Sequence, residues 1–105
     1  MKVSIYLLKR EKDRKVHVEK VEGDKLMNKF SFYHRGKQDW IAIHDLSGLM
    51  VVGATSRGKL YAEMLRLIRI NDLIRELFEA DHETEIEICK KHRIRLIGDY
   101  LNETN

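Results

Sequence analysis

The stretch from Asp39 to Ile68, DWIAIHDLSGLMVVGATSRGKLYAEMLRLI, constrains the fold more than any other part of the chain. Trp40 to His44 is apolar on both faces, with Trp40, Ala42 and His44 on one side and Ile41 and Ile43 on the other, which suits an interior strand. Asp45-Leu46-Ser47-Gly48 supplies the turn: an aspartate able to bond its own backbone, then a glycine free to take positive φ at the end of a three-residue loop. Leu49 to Ala54 is the return strand. Pairing Asp45 with Leu49 sets Ile43 opposite Val51 and Ala42 opposite Val52. Thr55 or Ser56 is placed to cap a helix in which Leu60, Tyr61, Met64, Leu65 and Ile68 form one buried stripe. Sheet and helix are expected to share a core.

Upstream, Val3 to Lys9 and Val16 to Val21 alternate apolar and polar residues around the charged run Arg10 to Lys15, the pattern of an N-terminal hairpin. Gly23-Asp24 reads as punctuation. Lys29 to His34 alternates again, and a turn at Gly36-Lys37 leads it into Trp40, setting His34 near Asp39 and Tyr33 near Trp40. Downstream of Ile68 the stripe changes phase to Leu73, Ile74, Leu77 and Phe78, with Asn71 or Asp72 as a new cap. Glu76 to Glu87 holds six acids and no Lys or Arg, and basic residues follow from Lys90, the order a helix macrodipole favours. A helix is therefore expected at about Asp81 to His92, with a strand through Ile86 and Ile88 as the competing reading. Arg93 to Ile97 alternates as a short final strand or continues the helix, and Asn102 to Asn105 is expected to fray.

The fold class is thus α+β: an antiparallel sheet of four or five strands over residues 1–54, then two or three packed helices over 55–105, in one domain spanning 1–105. A chain of 105 residues supports one modest core. Cys89 is the single cysteine, so no intramolecular disulfide forms. The apolar run Ile5 to Leu8 is shorter than a signal-peptide core and far short of a membrane span, so cytoplasm is the expected compartment and no membrane partner is expected. The net charge of +3 is uneven: residues 1–40 hold 11 Lys and Arg against 6 Asp and Glu. That excess permits nucleic-acid binding without requiring it.

Gly53-Ala54-Thr55-Ser56-Arg57-Gly58-Lys59 sits between a strand and a helix, and the stretch VVGATSRGKL resembles the nucleotide-binding loop of P-loop ATPases. That family needs a Ser or Thr hydroxyl for magnesium where this chain has Leu60. What the resemblance leaves is anion binding at the helix start through Arg57, Gly58 and Lys59. The five histidines lack metal-ligand spacing and no metal or cofactor is expected; His34 and His44 read as partly exposed strand-end residues. Cys89 among basic neighbours is a candidate for a lowered thiol pKa. Without a nucleophile elbow or oxyanion loop, however, no catalytic residue is assigned and no enzyme is expected. Ile88 to Ile94 resembles the start of a helix-turn-helix, yet the turn glycine is replaced by Arg93 and the buried position falls on Asp99.

The segment WIAIHDLSGLMV, followed by a helix, is similar to small accessory proteins of phages and mobile elements in Gram-positive bacteria, which carry W-x-x-x-H-x-x-[ST]-G. The resemblance implies a non-enzymatic binding protein, and some proteins of this kind inhibit host defence nucleases. From the residues themselves, Tyr33, Trp40, His44 and Met50 are expected on one sheet face, with Arg35 and Lys37 at the adjoining turn. The opposite face is expected to carry Phe30, Phe32, Ile41, Ile43 and Val51. Either the helices cover the Trp40 face, or it is an aromatic and basic platform for a protein partner, a second copy of the chain, or nucleic acid.

Overall fold

Five strands run in chain order through one antiparallel sheet and four helices follow it, in a computed structural model that describes residues 2–10 and 15–103. The strands are β1 (Lys2–Arg10), β2 (Val16–Met27), β3 (Phe30–Gly36), β4 (Asp39–His44) and β5 (Met50–Ala54). The helices are α1 (Arg57–Ile70), α2 (Asp72–Glu79), α3 (His82–Lys91) and α4 (Ile97–Glu103), one more than the sequence led us to expect. Most of the charged loop of the N-terminal hairpin, Glu11 to Arg14, lies outside the described residues, as do the last two residues of the tail.

The register of β3 against β4 differs by one residue from the sequence reading. Gly36 pairs with Asp39 and the turn is Lys37-Gln38, with an irregularity after His34. His34 therefore lies opposite Trp40 and Tyr33 opposite Ile41. A one-residue slip exchanges the two faces of a strand. Phe30, Phe32 and His34 thus share a face with Trp40, Ala42 and His44, while Tyr33 joins Ile41 and Ile43 on the other. On the β5 side Ala42 pairs with Val52 as expected. A bulge then sets Met50 rather than Val51 opposite Ile43, and Val51 packs with the helix-side core.

The helices cover the first face. Ser56 caps α1 by accepting from the Lys59 N–H, and Leu60 and Met64 are buried against Phe30, Phe32 and Ala42. Tyr61 and Leu65, expected in the same stripe, are exposed, because the buried line runs through Leu60, Met64 and Leu67. Asn71 ends α1 and caps α2, whose Leu77 enters the core; Asp81 caps α3, which brings in Cys89. The Thr84 N–H bonded to Asp81 holds its carboxyl below the usual carboxylate range, so the cap is intact at neutral pH and weakens as pH falls through that lowered value. Arg93 to Ile97 is not a strand. Arg93 takes a left-handed φ of 57°, and Ile94 N–H reaches back to Cys89 O, a Schellman closure of α3.

The second face is covered by the N-terminal hairpin rather than by the helices. Ile5 is buried against Tyr33, Ile41 and Ile43, with Val3, Leu7 and Val21 around them. Gly23 and Asp24 do not interrupt β2; they lie inside a single strand of 12 residues. A Cβ at Gly23 would fall 2.2 Å from Phe32 O and 2.3 Å from Ile5 Cδ1, so only glycine lets β2 cross so close to β3. Gly48, at φ 73°, plays the matching part at the other end, where the β4–β5 turn meets the backbone of Tyr6 and the side chain of Ile97.

Substituting Gly23→Val should destabilise the fold by about 1–3 kcal/mol through overpacking, read as a lower urea midpoint and melting temperature. A variant as stable as the parent would show that β2 crosses β3 without this contact.

Candidate functional site

Two polar or aromatic constellations stand out, one sealed in the core and one at the surface. The sealed one begins at His44, the last residue of β4. It is 1% exposed, not partly exposed as its strand-end position suggested, so it is removed from the candidate partner-binding residues. Its Nδ1 lies 2.7 Å from Ser47 Oγ and its Nε2 lies 2.7 Å from Glu85 Oε2 on α3. Ser47 Oγ accepts the Leu49 N–H at 3.3 Å, leaving its own hydrogen for Nδ1, while Nε2–H donates to the carboxylate. Lys29 Nζ stands 3.9 Å from Glu85 Oε1 and donates to Ala80 O.

Serine, histidine and glutamate in line have the composition of a hydrolase triad. Their setting is different. Ser47 is 0% and Glu85 4% exposed, so no substrate carbonyl can reach the hydroxyl while this packing holds. The three groups tie the β4–β5 turn to α3, and among the described residues no buried side-chain nitrogen or oxygen lacks a partner. Cys89, one turn along α3, has no lowered thiol pKa: burial, with Glu85 nearby, pushes it up. The basic neighbours invoked from the sequence, Lys90, Lys91 and Arg93, point to solvent instead.

The surface constellation is a ladder of flat groups at the end of the first face. His34 and Trp40 stack with ring centroids 4.1 Å apart and planes within 10°. Trp40 leans on Phe32 at 5.7 Å, and the Arg57 guanidinium lies 5.1 Å from the Phe32 centroid, within cation–π range. His34 and Arg57 are exposed, Trp40 is half-buried and Phe32 is buried. Arg35 is exposed beside them and donates to Asp39 at 2.6 Å, a contact that raises its own pKa; Lys37 is exposed in the turn. On the opposite side of β3 a cleft of about 430 Å³ lies between the hairpin and the sheet, floored by Leu7, Val21, Tyr33 and Met50.

Of the surface residues expected on one face, Trp40, Arg35 and Lys37 are found together. Tyr33 and Met50 are not with them: both border the cleft, Tyr33 buried and Met50 59% exposed. The slip in register that moved Tyr33 away put His34 and Phe32 beside Trp40. Arg57, Gly58 and Lys59 are exposed at the start of α1, where Leu60 is fully buried and Ser56 already caps Lys59. With every pairing of the sheet antiparallel, the parallel strand that carries the acidic magnesium ligand of a P-loop protein is lacking among the described residues.

No protein-family model, curated protein or solved structure matches this chain. Glu85 and Ser47 were missed as partners of His44. Only the mismatch of a histidine inside an otherwise apolar strand hinted at a buried acceptor.

His44→Leu should cost roughly 3–5 kcal/mol by leaving the Glu85 carboxylate without its closest partner. His44→Leu combined with Glu85→Met should cost less than His44→Leu alone, because no polar group is then stranded. Additive costs in urea melts would show that the two residues do not work as a tie. A thiol reagent should modify Cys89 only as fast as the core opens, and prompt labelling of the native protein would contradict its burial.

Proposed function

We propose that this chain is a non-enzymatic binding protein, of the accessory kind its WIAIHDLSG segment resembles, and that it engages another protein through the surface formed by His34, Trp40 and Arg57. The observation that carries the reading is the His34–Trp40 stack, held parallel at 4.1 Å while half open to solvent. Stacking fixes both rings before any partner arrives, so little side-chain entropy remains to be lost on binding. Tryptophan and arginine are also the residue types that dominate interface energetics when a partner excludes water from them.

Charge pairing favours a protein over nucleic acid as the partner. Lys2 lies 3.7 Å from Glu22, Lys9 lies 3.3 Å from Glu19, Lys25 bonds Asp45 and Arg35 bonds Asp39. Cations already facing carboxylates offer less to phosphate, and an interface built on stacking and apolar contact depends little on salt. Against a hydrolase built on Ser47, His44 and Glu85 stands the sealed hydroxyl of Ser47.

The test is capture of the partner from the native host with wild-type and Trp40→Ala protein, followed by titration of the identified, purified partner. Trp40→Ala should weaken binding by about tenfold or more, equivalent to about 1.4 kcal/mol, in a variant that still melts cooperatively, and with shallow salt dependence. Equal binding by both proteins would sink the reading. Tight association with DNA or RNA that collapses as salt rises would transfer it to nucleic acid.

A further inference from the structure

β2 runs beside β3 for only part of its length. Pairing joins Asp24, Lys25 and Met27 to Phe32, Ser31 and Phe30, and from Gly23 back to Val16 β2 keeps β1 as its partner. Beyond Phe32, β3 has β4 on one side and, among the described residues, no strand on the other. The lane that β2 vacates is open space. A gap of about 240 Å³ separates Lys2, Glu22 and Gly23 on one wall from Tyr33, His34 and Trp40 on the other. It shares Glu22, Tyr33 and His34 with the 430 Å³ cleft, so the two adjoin along the edge of β3.

The backbone of His34 faces into that gap. Asp45 N–H donates to Lys29 O at 3.0 Å, which makes Lys29 and Asp45 a hydrogen-bonded pair at the end of the β3–β4 ladder. Such pairs alternate along antiparallel strands. With register unbroken from Phe30↔His44 to His34↔Trp40, Ser31 and Tyr33 direct their N–H and C=O to β4, while Phe32 and His34 direct theirs away. Phe32 meets β2 there. His34 meets the vacated lane.

We infer that this lane is a docking site for an extended segment of a partner protein, which adds as a strand along β3 and pairs with the main chain of His34. The inference rests on the binding-protein reading above and gives it a mode of recognition. Alternate side chains of an added strand fall on opposite sides of the sheet. One set enters the cleft, where Leu7, Val21, Tyr33 and Met50 offer an apolar floor to an aliphatic group and Lys9, Glu19 and Glu22 complete the lining; the other lies against the His34–Trp40 stack. Where β3 ends, Arg35 is already bonded to Asp39, but Lys37 stands exposed in the turn, so the segment carries a carboxylate at that end to face Lys37. The occupant is therefore a short strand with an aliphatic side chain over the cleft floor and a carboxylate at the terminus that meets Lys37.

The probe is the best binder selected from a displayed library of linear peptides, resynthesised and titrated into the isotopically labelled protein. Exchange of the His34 amide hydrogen should slow in proportion to peptide occupancy. That of Tyr33, already bonded to β4, should not change, and it reports that the fold is intact. Methylating alternate peptide nitrogens should abolish binding in one phase and spare it in the other. His34→Pro, whose missing N–H costs the β3–β4 ladder nothing on this edge, should lose the peptide, while His34→Ala keeps part of the affinity. A bound peptide that leaves His34 exchange unchanged, or tolerates methylation in both phases, overturns strand addition while the binding-protein reading stands. A library that yields no binder overturns the lane as a peptide site. Protection of His34 that grows with protein concentration alone, with dimers in the ultracentrifuge, assigns the lane to a second copy and overturns the partner segment. Failure of the parent reading looks different: it is a captured partner indifferent to Trp40→Ala.

Discussion

Gly23 has room for a hydrogen and nothing larger, and the path of the whole N-terminal hairpin follows from that. With Phe32 O and Ile5 Cδ1 filling the place of a side chain, β2 leaves β3 and carries β1 across the second face. A flat continuation of β2 along β3 would add a few main-chain bonds worth about 0.5–1.5 kcal/mol each. It would also leave Tyr33, Ile41 and Ile43 facing water, when each large apolar side chain gains roughly 1.5–3 kcal/mol on burial. Burial of those residues together with Ile5 outweighs the lost bonds. The cleft and the open edge of β3 are the geometric remainder of that choice.

At the opposite end of the sheet the constraint is polar. His44 sits among apolar residues, its ring 5.6 Å from that of Phe30, and it has to find a partner for each nitrogen inside the core. Ser47 and Glu85 supply them, and in doing so they position α3 on the β4–β5 turn with a directionality that apolar packing lacks. The same carboxylate lies near Cys89 and Lys29, so one buried acid shapes the surroundings of three side chains, from β4, α3 and the β2–β3 turn.

What was legible in the sequence is local. The positive φ of Gly48, the caps narrowed to Thr55 or Ser56 and to Asn71 or Asp72, and the helix from about Asp81 with its charge order each depend on residues within a turn or two of one another, and the structure agrees with each. The α+β class followed from them. What was not legible depends on distance or on a single unit of register. Arg35 is absorbed near an irregularity that no turn residue announces, and that one position decides whether Tyr33 or His34 meets Trp40. His44 and Glu85 are 41 residues apart, with nothing in either neighbourhood to name the other. Arg93 adopts a left-handed conformation usually given to glycine, so the turn after α3 and the new helix from Ile97 did not show in the sequence. The fold-over at Gly23 was mistaken for punctuation because a glycine that permits close approach looks, in sequence, like a glycine that permits a turn.

An unpaired strand edge is normally a liability, because it templates pairing with any extended chain. β3 limits that exposure by length and by charge. Only the few residues from Tyr33 to Gly36 lie beyond the last β2 pair, the ladder shifts after His34, and Arg35 and Lys37 flank the opening. So short an edge supplies few main-chain bonds, at a net value of about 0.5–1.5 kcal/mol each, which cannot offset the cost of ordering a free segment. Any useful affinity must come from side chains reaching the Leu7, Val21 and Met50 cleft on one side and the Trp40 stack on the other. The edge then sets register and direction, the cleft and the stack supply the energy, and a chain lacking the right alternation is rejected even though every chain has the same backbone.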